Sequence, residues 1–106
     1  MFVPTAVAQQ AQFQSAVNRV VPQLRPDVVD VTFTLGNDWS GESAVFFIVI
    51  LSNASSRREQ LLRITNQVSN AIVQMVKPLE QWGVLPYFNF RSEAEQAQIN
   101  RQSLAS

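Results

Sequence analysis

The sequence predicts an α+β protein, a two-layer sandwich of element order α-β-β-α-β with a three-stranded mixed sheet and two helices on one face. Three observations carry this. Apolar residues recur at helical spacing in two stretches, Phe13 to Leu24 and Leu61 to Met75. Between them lie two apolar extended runs joined by a glycine-flanked loop, the pattern of a hairpin. A third extended run follows the second helix, and the right-handed crossover rule sets it parallel to the second strand.

The first helix is expected over about 5–21. Thr5 is placed to cap it, Phe13, Ala16, Val17 and Val20 form its stripe, and Pro22 and Pro26 bracket its end. In the next run Val29, Val31, Phe33 and Leu35 alternate with Asp30, Thr32 and Thr34, a strand with one wet face. Gly36 and Gly41 flank the turn-forming residues Asn37 to Ser40. The run Ala44 to Leu51 is apolar on both sides, which places it at the centre of the sheet.

Ser56 and Glu59 have capping-box spacing at the start of the second helix. Its stripe is Leu61, Ile64, Val68, Ile72 and Met75, and Pro78 ends or kinks it. One further turn ends at Gly83, a C-terminal cap. The third strand spans about 84–91, with Pro86 indicating an edge. The whole chain, 1–106, reads as one domain with an ordered core of about 5–91, and 92–106 as a short polar helix or a frayed tail.

Composition narrows the function. There is no cysteine and no histidine, so thiolate sites, disulfides and the commonest general base are absent. Eight basic and eight acidic residues cancel, which disfavours nucleic acid as the partner. Charged residues make up only 15% of the chain, and a weakly charged surface at zero net charge tends to associate. The longest apolar run is too short to span a bilayer as a helix, and no signal-peptide pattern is visible, so the cytoplasm is the expected compartment.

Two clusters could recognise a partner: Asp38, Trp39 and Glu42 in the hairpin loop, and Tyr87, Asn89 and Arg91 on one side of the third strand. The plainer alternatives are a hairpin tip packed by its indole, and an arginine paired with Asp30, Asp38 or Glu42. No catalytic, cofactor-binding or metal-binding residue is assigned. The second strand leaves one apolar face without an obvious cover, carrying either Val45, Phe47, Val49 and Leu51 or Ala44, Phe46, Ile48 and Ile50, and the first set is assigned to a homodimer interface there.

The loop Asp38-Trp39-Ser40-Gly41-Glu42 and the segment Pro86-Tyr87-Phe88-Asn89-Phe90-Arg91, with the helix between them, resemble a group of small uncharacterised bacterial α+β proteins. The resemblance covers about 25–95 and implies no activity; it implies a protein partner of the toxin–antitoxin or defence type. The element order is also similar to the cation-efflux cytoplasmic domain, whose histidine ligands have no counterpart here. It is similar as well to KH-like proteins, whose G-x-x-G loop is missing. The leading expectation is a non-enzymatic interaction module, self-associating through its sheet. The alternative is an RNA- or ribosome-associated protein of KH-like architecture.

Overall fold

The computed structural model describes residues 3–105. The expectations for the single domain 1–106 and the tail 92–106 therefore fall, at 1, 2 and 106, outside the described residues. The protein is α+β, with an open three-stranded mixed sheet of order β1-β2-β3. Its strands are β1 (Val28–Asn37), β2 (Ser43–Leu51) and β3 (Leu85–Ser92). β1 and β2 are antiparallel, and β2 and β3 are parallel. The second strand is central, as its doubly apolar sequence requires.

The first helical region is bent. α1 (Thr5–Ala8) and α2 (Gln10–Val20) are separated by Gln9, whose backbone is non-helical at φ −124 and ψ 53. The core anchors Ala6 and Phe13 lie on either side, while Gln9 and Gln10 are exposed, so nothing packed holds that turn straight. Thr5 is the first helical residue and caps nothing; the cap position is Pro4. A 3-10 turn over Val21–Leu24 contains Pro22.

α3 (Arg58–Val76) starts at Arg58 and not at the anticipated capping box. The Ser56 hydroxyl donates instead to the Ser52 carbonyl at 2.9 Å. Its buried stripe is Ile64, Val68, Ile72 and Val76, with Leu61 and Met75 exposed at its margins. Lys77 turns left-handed at φ 54, and Pro78 opens α4 (Pro78–Trp82). Gly83, at φ 70, closes α4, with the Val84 amide donating to the Pro78 carbonyl at 3.1 Å. The polar segment after β3 is a helix, α5 (Glu93–Ala105).

α2 and α3 cover one face of the sheet. Phe13 of α2 is fully buried, 4.8 Å from Phe33 on β1, 6.4 Å from Phe47 on β2 and 5.1 Å from Trp82 on α4. The contacts with Phe33 and Trp82 are edge-to-face and add to what area burial contributes. The β1 register shifts between Val28 and Asp30. The bulge reverses the alternation, so Val28 and Val31 are both buried and Val29 is left 41% exposed.

The orientation of β2 corrects the sequence reading. Val45, Phe47, Val49 and Leu51, assigned above to a dimer interface, are 0–1% exposed and belong to the helix-covered core. Phe47 lies opposite Phe33 and Phe88, so the apolar positions of both neighbouring strands share its face. The face without helices α2 and α3 carries Phe46, Ile48 and Ile50 instead.

Candidate functional site

Three cross-strand rows make up this open face: Thr34, Phe46 and Tyr87; Thr32, Ile48 and Asn89; Asp30, Ile50 and Arg91. The middle strand supplies the apolar residues, and its neighbours supply a polar margin. Phe46 and Ile48 are partly exposed, whereas Thr32, Thr34 and Asn89 are exposed. Ile50 is closed off to 8% at the end of the sheet where α5 begins. There the Arg91 guanidinium donates through Nη1 to Gln96 Oε1 at 3.0 Å.

The hairpin loop closes the other end of the face, and Asp38 organises it. Its Oδ1 accepts from the Ser40 hydroxyl at 2.7 Å, the Ser40 amide at 2.9 Å and the Glu42 amide at 3.0 Å. Its Oδ2 accepts from the Tyr87 hydroxyl at 2.8 Å, tying the loop to β3. The Asp38 amide also donates to the Glu42 carbonyl at 2.9 Å, and Gly41 completes the reversal at φ 87. These bonds to the charged form, led by those from Ser40 and Tyr87, lower the Asp38 pKa to about 2. The same carboxylate raises the pKa of Tyr87, because ionising the phenol would break the bond and set two anions together.

Asp38 is thus a brace, with both oxygens engaged inside the protein. Its oxygens accept from Ser40, Glu42 and Tyr87, and at a pKa of about 2 the carboxylate is a weak proton acceptor. Trp39, next to it, is 86% exposed and meets Tyr87 edge-on at 5.6 Å. Tyr87 stacks on Phe46 at 5.5 Å with an interplanar angle of 19°. Trp39, Tyr87 and Phe46 therefore form a continuous aromatic corner at the loop end of the open face.

Of the six residues proposed for partner recognition, the structure joins Asp38, Trp39 and Tyr87 directly. Glu42 lies in the same loop, exposed, with its backbone in the Asp38 network. Asn89 and Arg91 follow Tyr87 along the open side of β3 but do not touch the loop acids. Arg91 pairs with Gln96, not with Asp30, Asp38 or Glu42.

Sequence reasoning offered Phe46 and Ile48 only within the set it did not assign to the interface, and it missed Gln96. The signal for the first two was available: Phe33 and Leu35 mark the buried side of β1, and antiparallel pairing places Phe47 and Val45 opposite them. Among the described residues no helix is long and apolar enough to cross a membrane. Comparison of the chain with protein-family models, with curated proteins and with solved structures gives no match.

Proposed function

We propose that this chain is a cytoplasmic, non-enzymatic interaction module that self-associates through the open face of its sheet and engages a protein partner with the hairpin loop and β3. The observation that supports this reading is the aromatic and aliphatic surface of Trp39, Tyr87, Phe46 and Ile48, which α2 and α3 leave uncovered. Tryptophan, tyrosine and arginine within a polar margin are the residue types on which interface energy concentrates. Each large apolar side chain buried there contributes about 1.5–3 kcal/mol.

Light scattering coupled to size exclusion tests the proposal. The wild-type chain should run as a dimer at high micromolar concentration, and Ile48→Glu should run as a folded monomer. A wild-type monomer under those conditions refutes self-association. A second reading, RNA binding, has support in the aromatic corner, since unpaired bases stack on such surfaces. Arg57, Arg58 and Arg63, however, belong to the start of α3 in the opposite layer, and the net charge is zero. Self-association is therefore the better-supported reading.

A further inference from the structure

A second surface lies away from the open face. Between the N-terminal half of α3 and the C-terminal end of β3 runs a groove of about 460 Å³, whose apolar lining is Leu51, Leu61, Leu62 and Phe90 and whose polar lining includes Arg58 and Glu95. Leu62 is 74% exposed and Leu61 is 39% exposed, an unusual cost for two adjacent leucines on a helix with a separate buried stripe.

Among the described residues, β3 forms one edge of the sheet and has no strand on its outer side. In a strand the N–H and C=O of one residue point the same way, and successive residues alternate. Pro86 has no N–H to give to β2, so its backbone belongs on the outer side. The Ser92 amide, of the same parity, donates to the Glu95 side chain at 3.3 Å and not to a strand. Phe88 and Phe90 share that parity, so their main-chain donors and acceptors face outward beside the groove.

We propose that this groove binds an extended peptide segment of a partner protein, which adds to β3 as a fourth strand and places apolar side chains at alternate positions against Leu61, Leu62 and Phe90. Main-chain bonds to Phe88 and Phe90 supply the pairing, and the groove supplies the side-chain preference. A second copy of this chain fits less well. Its own β3 would bring Phe88 and Phe90 to the groove, and Phe88 is already stacked at home on Phe47 at 5.2 Å and on Phe90 at 6.1 Å.

The probe is a fluorescein-labelled octapeptide with leucine at alternate positions and serine between them, followed by fluorescence anisotropy with the full chain. It should bind saturably. The same peptide N-methylated at alternate amides, and the variant Leu62→Glu with the parent peptide, should each weaken binding about tenfold or more. Leu79→Glu, at an exposed leucine outside the groove, should leave binding unchanged. Absence of saturable binding overturns the proposal, as does equal binding of the N-methylated peptide. Dissociation of a wild-type dimer by Leu62→Glu also overturns it, because the groove would then hold a second copy.

Discussion

Asp38 shows how a residue of apparent chemical promise is used up by structure. It accepts from Ser40, Glu42 and Tyr87, and these bonds hold its pKa at about 2 in the folded protein, against an ordinary value of 3.8 for an aspartate. A carboxyl depressed by folding stabilises above its unfolded pKa, and that stability is lost as pH falls through the folded value. Thermal unfolding midpoints should therefore decline as pH drops from about 4 towards 2, and Asp38→Ala should flatten this part of the profile. For Tyr87 the sign is opposite. Its pKa is raised from 10.0, so the contribution is full below that pH and disappears as pH rises through the folded value. Tyr87→Phe should remove the alkaline decline while leaving the aromatic stack on Phe46 in place.

At the level of elements, the bulge in β1 decides which valines matter. Val28 is 1% exposed and Val29 is 41% exposed, although strict alternation with Val31 selects Val29. Val28→Ala should cost about 2 kcal/mol in urea unfolding, and Val29→Ala no more than about 0.5 kcal/mol. Equal losses would mean that the register shift is absent. The order of elements, the parallel β3 and the Gly83 cap were legible in the sequence because each follows from local spacing or chain connectivity. The bulge was not, since two adjacent valines carry no mark of which one turns inward. Nor was the buried side of β2, where both faces are apolar and only pairing with Phe33 and Leu35 distinguishes them. The same ambiguity explains why Trp39 and Tyr87 were assigned from their residue types while Phe46 stayed in the set not assigned. The break at Gln9 was hidden because a helical stripe records its anchors and not the amides between them.

For the whole molecule, the described residues span 43 × 35 × 26 Å with a radius of gyration of 14.5 Å, against roughly 13 Å for a compact domain of this length. The extra breadth fits a sheet with helical cover on one side and with α5 exposed over most of its length. Self-association on the open face would enclose Trp39, whose indole is now 86% exposed, while Trp82 is held in the core layer by its bond to the Val76 carbonyl at 3.0 Å. In Trp82→Phe, fluorescence from Trp39 should shift to the blue and resist acrylamide quenching as protein concentration rises. An emission spectrum independent of concentration would exclude Trp39 from the contact. The central position of β2 has a kinetic consequence. Its antiparallel neighbour is reached through a loop of a few residues, whereas its parallel neighbour waits for a crossover containing α3 and α4. Loop closure favours the short route, so the hairpin assembles early and the outer strand docks last. In the reverse direction that strand can peel away without dissolving the hairpin, which makes one border of the sheet a natural point for exchange between self-pairing and pairing with another chain.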